Sequence, residues 1–491
     1  MTKLTDIKTL GALKKSGYVS RTLKEELRDN LITALQNGKE VFTGIRGFED
    51  TVIPDIERAI LSKHNILLLG LRGQAKTKIA RLLVRLMDEY IPVIKGNELN
   101  DDPLKPITSQ GKTTVAESGD DTEIDWMHRD ERYVEKLATP DVSISDLIGD
   151  VDPIKAAALK LPYSDERVIH FGLVPRSHRS IFVINELPDL QPRIQVSLFN
   201  ILQEGDLQIR GFKLRLPLDI QFVFTANPED YTNRGSIITP LKDRIESQIL
   251  THYPREIETA MAITAQEAGV TNNQKEKITF PEPLKMLLEM VSFKARESEL
   301  IDDKSGVSAR LSISAYENLY STAERRMLIS GDNQTQIRVT DFWGIIPAIT
   351  GKVELVYEGE QEGPYAVALG LIGSAIKDMF QTHFPNPEKR TRGEERDPYG
   401  VIKEWFGAGN HLELLNDASN AEFEASLDRV AGLKKFVMDM SINKKDELLY
   451  KELLIHGLSE YDVIAKDFLD RSMEFSDPLS EMFGEFDDDD Y

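Results

Sequence analysis

The 491-residue sequence contains no cysteine. That absence removes disulfides, thiolate metal sites, iron–sulfur clusters and cysteine nucleophiles together. Basic charge is short as well: 60 Lys and Arg stand against 82 Asp and Glu, a formal net charge of −22. Phosphate backbones and anionic membranes require a positive surface, so this balance argues against a nucleic-acid or membrane binder. Long hydrophobic runs are also missing. The longest nearly uncharged apolar stretch, residues 365–376, contains Gly370 and Gly373 and falls short of the roughly 20 residues that a membrane span needs. The first residues are mixed polar and lack an apolar signal core, so a soluble cytoplasmic protein is expected. The 8 His are scattered, with no H-E-x-x-H or clustered spacing, which speaks against a dedicated metal site.

What is present is chain enough for about three or four domains, with 41% hydrophobic residues to fill their cores. Leu23, Leu27, Leu31, Ile32 and Leu35, followed by Gly38, predict a helical N-terminal segment over residues 1–45. Residues 65–69, apolar throughout from Ile66, form a short run of the kind found in buried parallel strands. Ile79, Leu82, Leu83, Leu86 and Met87 then line one face of a helix predicted over 77–90. Two further buried strands are expected at 181–184 and 220–225, separated by a helix over 191–203. Alternation of strands and helices predicts an α/β fold, a three-layer domain over 46–255 with a mainly parallel sheet. A polar stretch at about 95–145 reads as an insertion into it. After it, helical patterns predict a lid over 256–360 and a helical C-terminal region over 361–491. Residues 385–399 read as an exposed linker, and Asp487 to Asp490 form an acidic tail.

The turn after the first strand reads Gly70-Leu-Arg-Gly73-Gln74-Ala75-Lys76-Thr77. It matches G-x-x-x-x-G-K-[ST] at Gly70, Lys76 and Thr77 and departs only at Ala75. Such a loop converges backbone N–H groups on phosphate at a helix N-terminus, with the Lys on phosphate oxygens and the hydroxyl on Mg²⁺. Gly70, Gly73, Gln74, Ala75, Lys76, Thr77 and Lys78 are the candidate residues for holding the cofactor. Ala75 adds one methyl without removing a donor.

The strand at 181–184 runs into Asn185-Glu186, where a P-loop ATPase normally has Asp-Glu. In that arrangement the Asp supports Mg²⁺ and the Glu polarises the attacking water. The candidate base, Glu186, is present, but the metal-side carboxylate is the amide of Asn185. Thr77 and Asn185 are therefore the candidate metal residues. The next strand ends in Ala226-Asn227-Pro228, which offers Asn227 to orient a hydrolytic water. Pro240-Leu-Lys-Asp-Arg244 follows, and Gly306-Val-Ser-Ala-Arg310 opens a later helix with Ser308 as its cap.

In that order the motifs resemble an AAA+ ATPase: Walker A at Gly70 to Thr77, Walker B at Ile181 to Glu186, sensor 1 at Asn227, an arginine finger at Arg244 and sensor 2 at Arg310. Residues 168–254 are similar to the magnesium chelatase subunit I and MoxR group. The likeness rests on Gly172-Leu-Val-Pro175, Asn185-Glu-Leu-Pro-Asp-Leu190, Ala226-Asn-Pro-Glu229 and Leu241-Lys-Asp-Arg244. A charged hairpin at 207–218 also fits that group. The resemblance covers roughly residues 45–350.

It implies a homo-oligomer, usually a hexameric ring, that binds ATP with Mg²⁺ and works with a partner carrying a von Willebrand factor A domain. In such a ring Lys76 and Thr77 hold phosphate and Mg²⁺, Glu186 activates water and Asn227 positions it. Arg244 acts on the neighbouring subunit, and Arg310 reaches the γ-phosphate from the lid. The implied function is remodelling or activation of a partner protein; the alternative is a nucleotide-gated assembly scaffold with little turnover. Chelatase activity itself is not implied, since no porphyrin site is visible. The G-A-F-T-G-A loop and helix-turn-helix of sigma-factor activators are not evident either. His128-Arg-Asp-Glu-Arg132, flanked by Trp126 and Tyr133, reads either as a solvated loop held by ion pairs or as a subunit or client contact.

Overall fold

The structure is a computed structural model that describes residues 4–163, 165–204, 206–209, 212–228, 236–389, 397–440, 442–469 and 471–478. The expected acidic tail and part of the expected linker lie outside the described residues. The chain divides into two compact units between Tyr253 and Pro254.

The first unit is built on five parallel strands: β1 (Ile66–Leu69), β2 (Tyr133–Leu137), β3 (Ser180–Asn185), β4 (Ile220–Ala226) and β5 (Ser247–Leu250). Their order across the sheet is β5-β1-β4-β3-β2. One register row runs Ser247, Ile66, Val223, Val183, Glu135. Every residue of β3 and β4 is buried, as expected for strands covered on both faces. Side chains alternate between the two covers with the two-residue period of a strand. Ile66, Leu68, Ile181, Val183 and Val223 join one core with Leu27 and Leu31, Ile56 and Ile79. Leu67, Phe182, Ile184, Phe222 and Phe224 point to the other, with Ile194 and Leu198. Phe182 packs edge-on against Phe222 at 6.0 Å, and Phe222 stacks on Phe224 at 5.8 Å. Truncating one such ring to alanine costs about 3–5 kcal/mol.

The helix Leu23–Gln36 starts on a capping box in which Thr22 and Glu25 satisfy each other's backbone N–H groups. Its apolar face enters the sheet's own core, so the N-terminal helix is part of the α/β packing. The helix predicted over 77–90 is shorter. It runs Lys76–Leu82, tightens to a 3₁₀ turn at Leu83–Leu86, and gives way to a strand at Tyr90–Ile94. An antiparallel pair, Asp206–Ile209 with Phe212–Arg215, lies where the charged hairpin was expected.

The stretch expected as an insertion over 95–145 contains β2, which is the sheet's edge strand beside β3. Its residues Tyr133 to Lys136 are only half-buried, so the sequence carries no apolar run to mark it. The charged cluster just before it is split: Asp130 and Glu131 are exposed and the Asp130 carboxylate lies 3.3 Å from His128 Nδ1, as in a solvated loop, whereas Arg132 turns inward. Arg132 is about as buried as any side chain in the protein, at 1% exposure, and grips Glu26 with two hydrogen bonds of 2.7 Å. Its Nε donates to the Arg179 carbonyl at 2.9 Å. Breaking such a buried pair by removing one partner costs about 3–5 kcal/mol. Trp126 is likewise inward-facing, its indole N–H donating to the Ile7 carbonyl at 2.8 Å. Arg132 thus pins the cluster's inner end to the helix Leu23–Gln36, while its exposed carboxylates remain at the surface.

The second unit is mainly helical. Helices Glu282–Glu297, Arg310–Ser330, Pro364–His383 and Glu447–Ser459 share one core that takes in residues from Ile278 to Phe475. The expected lid and C-terminal regions thus contribute to a common core. A small antiparallel sheet, Leu412–Leu415, Ser472–Ser476 and Ala465–Phe468 in that spatial order, adds strands to the region expected as helical. Gly457 permits close helix packing, since a Cβ there would come within 2.0 Å of the Phe380 ring. Among the described residues no helix is long and apolar enough to cross a membrane.

Candidate functional site

The loop between β1 and the helix Lys76–Leu82 is shaped by backbone requirements. Gly70 donates its N–H to the Ala226 carbonyl at 3.1 Å, which ties the loop's start to the end of β4. A Cβ at Gly70 would lie 1.9 Å from Thr251 Oγ1 and 2.2 Å from Gln74 Oε1, so only glycine fits. Gly73 and Ala75 both take the left-handed conformation, with φ of 75° and 55°. The glycine that the usual pattern places at Ala75 answers that requirement, and alanine holds it at some cost.

The segment after β5 braces this loop from outside. Thr251 donates its N–H to the Leu69 carbonyl at 2.7 Å and its hydroxyl to Gln74 Oε1 at 2.7 Å. Tyr253 donates its hydroxyl to the Arg72 carbonyl at 2.8 Å. Lys76 is buried, and its ammonium donates to the loop carbonyls of Gly70 and of Leu71, the latter at 2.9 Å. Lys78, in contrast, reaches the Gly44 carbonyl at 3.0 Å.

The sheet carries the other candidates to the same end of the strands. Thr77 Oγ1 stands 3.5 Å from Asn185 Oδ1, which brings the P-loop hydroxyl and the tip of β3 together. Asn185 Oδ1 also accepts from Thr225 Oγ1 at 3.1 Å. Thr225 in turn accepts the Glu186 N–H at 3.2 Å. Glu186 is half-buried and left-handed, with φ of 55° and ψ of 50°. A non-glycine residue in that region is uncommon and held by its surroundings, a state that clusters at functional sites. Asn227 is buried just past the end of β4.

Sequence reasoning missed a third layer. The Asn185 amide donates Nδ2–H to Glu135 Oε1 at 2.7 Å, across to β2. Glu135 also accepts from Arg81 at 2.9 and 3.2 Å and from the Tyr133 hydroxyl at 3.0 Å. Burial opposes ionisation of Glu135, but hydrogen bonds from Arg81, Tyr133 and Asn185 and the Arg81 charge outweigh it. The carboxyl is held below its usual range. Burial next to that carboxylate pushes the Tyr133 phenol up. The signal that could have found Glu135 was the missing charge at Asn185 itself.

The two arginine candidates are exposed. Arg244 ends the short helix Thr239–Asp243, pairs with Asp243 at 3.0 Å and lies 5.9 Å from the Phe199 ring centre. Arg310 begins the helix Arg310–Ser330 in the second unit, its N–H bonded to Ser308 Oγ at 3.2 Å. The residues at the head of the sheet suit ATP and Mg²⁺ on their own chemistry. They offer a backbone cradle that only glycine permits at Gly70, a buried ammonium, and a hydroxyl facing an amide oxygen.

Residues 65–245 match the family model described as AAA domain (dynein-related subfamily). Among solved structures, the chain is similar to NtrX from Brucella abortus at 15% identity and a TM-score of 0.36. The likeness covers 62% of this chain but only 56% of that one. It is also similar to the complex between subunits BchI and BchD of magnesium chelatase, at 17% identity and a TM-score of 0.33. There it covers 65% of this chain and 98% of that one.

Proposed function

We propose that the AAA domain over 65–245 binds ATP with Mg²⁺ and hydrolyses it, and that the protein works as a ring of like subunits on a protein client. The observation that supports this reading most is the meeting of Thr77 and Asn185 at 3.5 Å, with Lys76 buried in the loop before them and Glu186 beside them. Loop N–H groups and the Lys76 ammonium bind the triphosphate oxygens. Thr77 and Asn185 would hold Mg²⁺, which would supply charge neutralisation to the triphosphate. Glu186 accepts the proton of the water that attacks the γ-phosphorus, and its bond to the bridging oxygen breaks to leave ADP and phosphate. Asn227 orients that water. Exposed Arg244 serves the neighbouring subunit's site. The partner is a von Willebrand factor A-domain protein in the manner of the magnesium chelatase subunit I and MoxR group. A net charge of −22 suits a protein client in the cytoplasm better than nucleic acid.

One observation favours a second reading, a nucleotide-gated scaffold with little turnover: the metal-side residue Asn185 is uncharged. Phosphate release and mass by light scattering, measured on one sample, separate the two. The motor reading predicts Mg²⁺-dependent release that Arg244→Ala abolishes while nucleotide binding persists. Assembly on ATP with no release would support the scaffold. A Lys76→Ala protein that binds nucleotide as tightly as wild type would sink both.

A further inference from the structure

The tip of β3 carries an amide where a nucleotide site usually has a carboxylate, and the carboxylate stands one strand away. We propose that Glu135 is a positioning residue for the Mg²⁺ of this site, supplying through the Asn185 amide the negative charge that β3 itself lacks. The inference rests on the nucleotide-site reading above and goes beyond it by assigning Glu135, which no motif marks.

A buried asparagine has both a donor and an acceptor to satisfy. Its side chain has one acceptor oxygen and one donor NH₂, and either left unpaired in the interior is destabilising. Asn185 is 8% exposed. Its donor side is taken by Glu135 Oε1 at 2.7 Å, and its oxygen receives the Thr225 hydroxyl at 3.1 Å. The Thr225 hydroxyl gives its one proton to that oxygen and accepts the Glu186 N–H at 3.2 Å, while the Glu135 carboxylate can only accept and so takes the NH₂ side. Donor and acceptor therefore run in one direction along the chain Glu186, Thr225, Asn185, Glu135. The result is an amide locked with its oxygen, not its NH₂, toward Thr77.

Glu135 also acts on charge. A hydrogen bond from an amide N–H to a carboxylate is charge-assisted, and it polarises the amide so that its oxygen becomes a better acceptor. The carboxylate is itself fixed by Arg81 and Tyr133, so it cannot turn away. Arg81 opposes the effect, since its guanidinium neutralises part of the charge Glu135 lends. It sits on the outer side and is 64% exposed, so its hold is weakened by solvent.

The two neighbours thus have opposite predicted signs, which a purely structural role for the Glu135–Arg81 pair does not allow. The test uses the full chain, with the fluorescent analogue mantATP as probe and MgCl₂ titrated from an EDTA baseline. Glu135→Gln is expected to leave binding in EDTA unchanged and to raise the Mg²⁺ midpoint roughly 10–100-fold. Arg81→Ala is expected to lower that midpoint severalfold. The exchange E135Q/N185D, which returns the charge to β3, is expected to bring the midpoint back toward wild type.

A wild-type midpoint in Glu135→Gln, or upward shifts in both Glu135→Gln and Arg81→Ala, would overturn the proposal. If Glu135→Gln does not fold, Arg81→Ala decides alone: an unchanged or raised midpoint counts against it. Wild-type protein that binds no mantATP at any Mg²⁺ concentration would overturn the nucleotide-site reading and this inference with it. Wild-type protein that binds in EDTA with no response to Mg²⁺ would overturn this inference and the Mg²⁺ part of the reading above, and would leave the nucleotide site itself standing.

Discussion

At the phosphate loop, Ala75 stands where glycine is usual and holds a φ of 55° without losing any backbone donor. At the tip of β3, Asn185 stands where aspartate is usual and loses a full charge, with a carboxylate from β2 bonded to it at 2.7 Å. The first departure is a local matter of backbone conformation, contained within one residue. The second reaches across the sheet, because charge acts through space and can be lent by a neighbouring strand. A loop motif therefore tolerates a small misfit in place, whereas the missing carboxylate at the strand tip is, on the reading proposed above, made good from elsewhere in the fold.

The largest expected effect breaks the loop side of this comparison. Gly70→Ala drives a methyl into Thr251 and Gln74, 1.9 and 2.2 Å away, and should abolish mantATP binding. It should also lower stability in urea melts by about 1–3 kcal/mol, the range for overpacking. Normal binding by this variant would show that Thr251 does not brace the loop. On the strand side, Asn185→Asp puts a second carboxylate against Glu135 and forces one of the pair to take up a proton. Near neutral pH it should lose about 1–3 kcal/mol, with stability recovering as pH falls toward 5. A variant as stable as wild type at pH 8 would mean that the two carboxylates do not meet.

Ala75→Gly should act in the opposite sense and more weakly. Relief of the left-handed alanine is expected to raise stability by about 1 kcal/mol, with nucleotide affinity unchanged. A loss of stability would indicate that the methyl packs usefully. The smallest effect is the pH dependence of the Glu135 carboxyl, whose folded value lies below the ordinary one. Its contribution is therefore complete above the unfolded value of about 4.3 and disappears as pH falls through the depressed folded value. Wild type should exceed Glu135→Gln by under about 1 kcal/mol at pH 7, discounted for solvent, and the gap should close in acid. Melts from pH 7 to 3 follow it.

Much of the α/β unit was legible in the sequence because its signals are contiguous. Residues 66–69, 180–185 and 220–226 are unbroken apolar runs or nearly so, and both faces of those strands are covered. The P-loop is read from eight adjacent residues, and its strand-to-helix setting follows from the flanking pattern. Edge strand β2 was not legible, since a half-buried sequence such as YVEKL alternates too weakly to mark a strand. The Arg132–Glu26 pair joins residues 106 apart, and the Asn185–Glu135 bond joins residues 50 apart. No local pattern predicts either; each exists only once the sheet order is known. The shared core of the second unit was hidden for the same reason, with residues from Ile278 to Phe475 meeting only after folding.

The most direct measurement is phosphate release by wild type and Glu186→Gln at saturating ATP and Mg²⁺, with mantATP binding measured on the same preparations. The account predicts Mg²⁺-dependent release by wild type that falls roughly 10²–10⁴-fold in the variant while binding is retained. Equal release from both proteins would contradict it.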